Sequence, residues 1–288
     1  MGRFSSAFAF LFVLVLVLGS AGCGDRFEQL GSGTPPTQAE LASQALDALR
    51  TAESAHVVLD AQVGAIVGTT TELGFHFDGD ISSSRIAGDG IVRFPGGTLG
   101  ARLLVGDHDV YVRFAGTWYQ AHGRGIADAL AKAHEEGGET LGDLLSPAGI
   151  GEQFAELFEG EVREGPVVDG ASTWEFEGHL RPGAVARYLE RAESLDLTDN
   201  DRRLLDTVSA AGRLFLVVGQ DDQLPRKVEV EFHPPAGLHF DSDELASGNQ
   251  DFSFTLELSQ FGKDVGFTAP KDARPLDELG EQLLSAFE

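Results

Sequence analysis

The chain has 288 residues, enough for one large domain or two small ones, and its 46 Asp and Glu against 21 Lys and Arg give a formal net charge of −25 at pH 7. A surface of that sign excludes nucleic-acid binding through a basic face, and it is held off the anionic headgroups that draw polybasic segments to membranes. The single Cys excludes an internal disulfide, so the fold must stand on its core.

Arg3, a short polar gap and an unbroken apolar run from Ala7 to Leu18 form the charged and hydrophobic regions of a secretory signal. The run is too short to span a bilayer as a helix. Ser20, Ala21 and Gly22 stand directly before Cys23, a pattern similar to the bacterial lipobox, in which the thiol takes a diacylglyceryl group and becomes the first residue of the mature protein. The usual lipobox leucine, three residues before the cysteine, is here Ser20, with Leu18 two residues further back. The alternative is an ordinary signal cut after Ala21 that leaves Cys23 a free thiol; an unpaired thiol is a liability in an exported protein, which favours acylation. The expected organisation is a signal over residues 1–22, a flexible Gly/Ser/Pro tether over 23–36 and one domain over 37–288. The expected location is the outer face of a cell membrane, held there through acylated Cys23, since two acyl chains anchor stably and one does not.

Thr37 and Glu40 spell a capping box, and Leu41, Ala45, Leu46, Leu49 and Ala52 follow at helical spacing. From Ala55 the period becomes two. Val57, Leu59, Ala61 and Val63 alternate with Val58, Asp60, Gln62 and Gly64, and after a turn at Gly68-Thr69-Thr70, Leu73, Phe75, Phe77 and Ile81 alternate with polar residues. Further strands are predicted over Ile86–Phe94, Leu99–Val105, Val110–Phe114 and Trp118–Ala121, which makes six in a row with one apolar face. Helices to cover that face are predicted over Ile126–His134 and Ile150–Phe158, with a turn at Leu141–Leu145. Strands resume over Glu161–Val168 and Ser172–Leu180, joined by a tight Asp169-Gly170 turn. Pro182 opens a helix, Thr198 caps another, and strands follow over Leu214–Val218, Lys227–Phe232 and Phe252–Leu258 before a last helix after Pro275. The fold class is α+β: a wide antiparallel sheet of about 11 strands, which must curl, with several short helices laid across it.

Catalytic and metal-binding patterns are missing. The eight His never form an HExxH pair, there is no GxSxG elbow or GxxxxGK[ST] loop, and Gly88-Asp89-Gly90 has no helix after it. Asp241-Ser242-Asp243-Glu244 lacks the glycine of a calcium loop and reads as a solvated acidic turn. His56 and His76 fall on the polar phase of their strands. The expectation is a protein that is not an enzyme and takes no cofactor or metal.

The positive signal is phenylalanine, at 20 residues against three Tyr and two Trp. Each buried ring stabilises by roughly 1.5 to 3 kcal/mol and brings no polar group needing a partner, which suits a filled core and a hydrocarbon-lined cavity equally. Phe75 and Phe77, Trp174 and Phe176, and Phe252, Phe254 and Leu256 alternate on their strands and are the candidate cavity-lining set.

Several stretches carry a family resemblance. They are Gly106-Asp107-His108-Asp109-Val110-Tyr111-Val112 with Gly116-Thr117-Trp118-Tyr119, Gly165-Pro166-Val167-Val168-Asp169-Gly170, Leu224-Pro225-Arg226-Lys227-Val228, and Phe261-Gly262-Lys263-Asp264-Val265 continuing through Pro270 to Pro275-Leu276-Asp277-Glu278-Leu279. In order and spacing they resemble the LppX/LprG group of actinobacterial envelope lipoproteins, over about Thr37 to Gly280. The resemblance implies a LolA/LolB-like half-barrel clasping helices around an apolar cavity, a lipid or glycolipid ligand carried or presented without catalysis, and an envelope transporter as partner. A lipoprotein that senses or scaffolds protein partners through its acidic surface, its core filled, stays open beside it.

Overall fold

The computed structural model describes residues 34–64, 73–82, 84–94, 96–106, 109–122, 157–184, 186–187, 199–233 and 252–279. Helix α1 (Gln38–Thr51) begins where the capping box places it: Thr37 Oγ1 accepts from Glu40 N at 3.3 Å, and Glu40 Oε2 accepts from Thr37 N at 2.7 Å. Leu41, Ala42, Ala45 and Leu49 form its buried stripe.

Among the described residues, twelve strands make one sheet: β1 (Ser54–Val63), β2 (Leu73–Ser82), β3 (Ile86–Phe94), β4 (Gly97–Val105), β5 (Asp109–Phe114), β6 (Thr117–His122), β7 (Phe158–Glu164), β8 (Thr173–Leu180), β9 (Gly212–Gly219), β10 (Pro225–Phe232), β11 (Phe252–Ser259) and β12 (Arg274–Pro275). Their order is β12-β6-β5-β4-β3-β2-β1-β11-β10-β9-β8-β7, all antiparallel except the β12–β6 pair. The first strand therefore sits in the middle, between β2 and β11, so the two meanders join there. Among the described residues the sheet ends at edges β7 and β12 and does not close on itself. Glu159, Glu161, Arg163 and Glu164 put charge along β7, which discourages pairing with another chain.

Register explains the two faces. One ladder row runs from Phe114 through Ala101, Gly90, Phe77, Leu59, Leu256, Val228, Leu216 and Phe176 to Val162, with no polar side chain. The adjacent row holds Val92, Phe75, Ala61, Phe254, Val230 and Leu214. One residue out of phase, the other face carries His56, Asp60, Asp78, Asp80, Asp89, Arg102, Glu175, Lys227 and Glu257.

Helix α1 packs on the apolar face. Leu41, Ala42 and Ala45 join Leu157, Phe158, Phe176, Leu214, Leu216 and Val230 in one core cluster, and Leu49 joins Val57, Phe77 and Leu258 in a second. Gln38 Nε2 donates to Phe158 O at 3.1 Å, tying the helix start to the β7 edge. Helix α2 (Asp199–Ala210) leads into β9, and its Asp206 Oδ1 accepts from Gly183 N at 2.6 Å.

Two expectations differ from the structure, and the expected wide antiparallel sheet of about 11 strands is present. Phe158 was predicted to end a helix and instead opens β7, which stops at Glu164, short of Val168. Val168 and Ala171 still bridge across the Asp169-Gly170 turn, with Asp169 at φ 52° and Gly170 at φ 81°. The strand count rises to twelve because Arg274–Pro275, just before the predicted last helix, adds a short parallel strand beside β6. Outside the described residues lie the signal and lipobox with Cys23, most of the tether, the predicted helices over 126–134 and 150–156, the 188–192 part of the Pro182 helix, the 241–244 loop and residues 280–288.

Candidate functional site

The seven aromatic and aliphatic residues singled out above share the apolar face. Phe75 and Phe77 stand on β2, Phe252, Phe254 and Leu256 on β11, and Trp174 and Phe176 on β8, all in inward phase by register. Their surroundings differ. Phe176 is fully buried and Phe77 is 9% exposed, each within a core cluster; Trp174, Phe252, Phe254 and Leu256 are half-buried around the same clusters.

Phe75 is different. It is 42% exposed, and Val92, its direct partner on β3, is 41% exposed. The apolar face thus continues beyond the part that α1 covers. On β3 and β4 that continuation is Val92, Gly90, Leu99 and Ala101.

Two glycine pairs shape the face. Gly79 and Gly88 are cross-strand partners, as are Gly160 and Gly178. A Cβ at Gly88 would come within 2.6 Å of the Phe77 ring, and one at Gly178 within 2.3 Å of the Phe176 ring. Each ring therefore lies folded down over a pair that has no side chains, the arrangement known to shield glycine in sheets. At these two places the rings fill the space that side chains would take.

The polar face carries ion pairs. His56 Nδ1 lies 2.9 Å from Asp80 Oδ1 and its Nε2 3.3 Å from Asp78 Oδ1; His76 Nδ1 lies 2.8 Å from Asp60 Oδ1. Arg163 reaches Glu175 and Glu177, and these carboxylates push its guanidinium above its ordinary value. Near the β6 edge, burial and the adjacent Asp109 carboxylate raise the Tyr111 phenol above its ordinary value of 10.0. Gln120 Nε2 donates to Asp109 Oδ1 at 3.0 Å and to Tyr111 Oη at 3.1 Å. Among the described residues no three His, Cys, Asp or Glu side chains are placed to hold a metal, and no helix is long and apolar enough to cross a membrane.

Val92 escaped the sequence reading because β3 is rich in glycine and its alternation is weak. Arg226 escaped it as well, although it stands in the apolar phase with Val228 and Val230, where a charge breaks the pattern.

No protein-family model matches the sequence, and no curated protein matches it. Among solved structures, the lipoprotein LppX of Mycobacterium tuberculosis is 15% identical, with 82% of this chain and 100% of that chain covered at a TM-score of 0.44. LprF of Mycobacterium bovis is 15% identical over 83% of this chain and 99% of that one, TM-score 0.45. A LolA superfamily protein of Nitrosomonas europaea is 14% identical over 82% and 96%, TM-score 0.22. The chain, one wide and mostly antiparallel sheet with a helix across its apolar face, is similar to the LppX and LprF lipoproteins and to LolA superfamily proteins.

Proposed function

We propose that the chain binds a lipid or glycolipid on its apolar face and carries or presents it at the outer surface of a cell membrane, held there by acylated Cys23. The observation that carries this reading is the exposed Phe75–Val92 pair, the continuation of an apolar face that is elsewhere buried or half-buried. Apolar surface left in water on a sheet is unfavourable by about 25 cal/mol per Å², and an acyl chain laid on it removes that area from water. A ligand that binds only the folded chain also stabilises it by mass action. The remaining members of the set, Phe77, Trp174, Phe176, Phe252, Phe254 and Leu256, form the wall from which this surface extends. The ligand is held by contact area, without catalysis and without a cofactor.

Native mass spectrometry of the complete chain carrying Cys23→Ala, exported and purified without detergent, tests the reading. Bound lipid that appears as added mass, is recovered in organic extract, and is lost on Phe75→Asp while the fold is kept, is the expected result. A stable chain that carries no lipid and takes up no acyl probe overturns it and leaves a scaffold with a filled core. For the anchor, the unaltered chain should partition with membranes and Cys23→Ala should not; an unmodified Cys23 by intact mass would remove that part of the reading.

A further inference from the structure

A charged side chain is turned onto the apolar face at the start of β10. The ladder with β9 steps from Pro225–Val218 to Lys227–Val217, so Arg226 is the extra residue of a bulge, a device that re-aims a side chain. Lys227 faces Glu257 on the polar side and Val228 faces Leu256 on the apolar side, so Arg226, one residue before Lys227, falls in the apolar phase. Its contacts agree: the guanidinium carbon lies 5.2 Å from the centroid of the Phe261 ring, and Phe261 packs on the cluster of Leu49, Val57 and Leu258.

The Arg226 side chain is 9% exposed. Its Nη2 pairs with Asp222 Oδ2, while Asp222 Oδ1 accepts from Leu224 N at 3.1 Å. Arg226 Nε is buried with no hydrogen-bond partner, alone in this among the buried side-chain polar atoms of the described residues. Guanidinium carries only donors, and a buried N–H left without an acceptor is among the more expensive states a side chain can hold. With Asp222 already balancing the charge, the unmet need is one oxygen atom.

We propose that Arg226 Nε–H donates to the acyl carbonyl oxygen of a bound lipid, so that this residue fixes where the polar end of the ligand sits on the apolar face. The inference rests on the lipid-binding reading above. Its chemistry is that of a carbonyl attached to a long alkyl chain, whether esterified or as a free fatty acid. The bulge supplies the position, Phe261 holds the guanidinium plane, and Asp222 keeps the pair neutral so that an uncharged ester oxygen is an adequate acceptor.

Displacement of N-phenyl-1-naphthylamine from the complete Cys23→Ala chain tests it, with methyl palmitate, palmitic acid and heptadecane as competitors. The expected result is that methyl palmitate competes at about tenfold lower concentration than heptadecane, a difference of one charge-assisted hydrogen bond, and that Arg226→Leu removes the gap while heptadecane is unaffected. Arg226→Lys keeps a cation opposite Asp222 without the Nε–H, and it should also lose the gap; it serves if the leucine variant fails to fold. Palmitic acid outcompeting the ester in an Arg226-dependent way identifies the free acid as the source of the carbonyl. Equal potency of methyl palmitate, palmitic acid and heptadecane on the parent chain overturns the inference and leaves lipid binding standing. A folded chain that takes up neither the naphthylamine nor any competitor overturns both.

Discussion

The ring of Phe77 lies over Gly88 of the neighbouring strand, where an added Cβ would come within 2.6 Å of it. The same Cβ would meet Asp78 O at 2.7 Å, so moving the ring alone does not make room. Gly88→Ala should therefore destabilise the protein by about 1 to 3 kcal/mol. At Gly100 a Cβ meets nothing within 4 Å, and Gly100→Ala should be neutral or slightly stabilising. Urea midpoints of the two variants check the contrast, and equal values would show that the Phe77 contact does not constrain the backbone.

Phe176 and Phe75 separate core from site. Phe176 is fully buried, and Phe176→Ala should lower stability by about 3 to 5 kcal/mol. Phe75, 42% exposed, has little packing to lose, and Phe75→Ala should shift stability by no more than about 1 kcal/mol while weakening uptake of an acyl probe. Thermal unfolding and probe binding, measured on both variants, distinguish the roles.

The start of α1 gives a pH dependence. Hydrogen bonds from the Thr37 backbone and side chain hold the Glu40 carboxyl below its usual 4.5. A lowered folded-state value means stability that is present above the unfolded value and is lost as pH falls through the folded one. The stability gap between the parent and Glu40→Ala should be open at neutral pH and closed at an acid pH below the lowered folded value. Thr37→Ala should cost about 1 kcal/mol at neutral pH. Denaturant titrations at the two pH values provide the check.

Tyr111 acts at the opposite end of the scale. Its phenol is raised by burial first and by Asp109 second, so its contribution is intact below 10.0 and is lost as pH rises through the higher folded value. Tyr111→Phe should remove that alkaline component from the unfolding profile, and an unchanged profile would place its origin elsewhere.

His56 and His76 supply a control on the polar face. Both pair with aspartates on half-exposed positions, where ion pairs contribute between about 0 and 1 kcal/mol. His56→Ala and His76→Ala should leave lipid uptake unchanged and shift the urea midpoint only slightly.

Alternation made the faces legible before any pairing was known. Phe75, Phe77, Phe252, Phe254 and Leu256 share a face because period two is a local property of each strand, and Thr37 with Glu40 marked the first turn of α1 because caps are local as well. Long-range features were less visible. Arg274 and Pro275 show no period, and they form a strand only because the preceding segment crosses to β6, with Phe267 against Tyr111 at 6.1 Å between ring centroids. Pro275 has no N–H to offer a ladder, which suits it to an edge. Phe158 sits at a helix-to-strand boundary, where the apolar residue satisfies either period. The bulge that turns Arg226 inward leaves a trace in the sequence, a cation in phase with Val228 and Val230, but its meaning depends on Phe261 and Asp222 being brought beside it.

The central position of β1 has a consequence for how the chain is assembled. Ser54 Oγ donates to Lys263 O across 209 positions of sequence, and every residue from His56 to Val63 has a partner on β11. As the chain emerges from its N-terminus, β2 can pair with β1 at once, but the other side of β1 stays bare until β11 has been delivered. Loop closure over that span is slow, and an unpaired apolar strand invites pairing with another copy in the meantime. The late-arriving C-terminal strands therefore decide whether a newly made molecule is protected from self-association, and truncations before Phe252 should yield aggregates instead of a smaller soluble sheet.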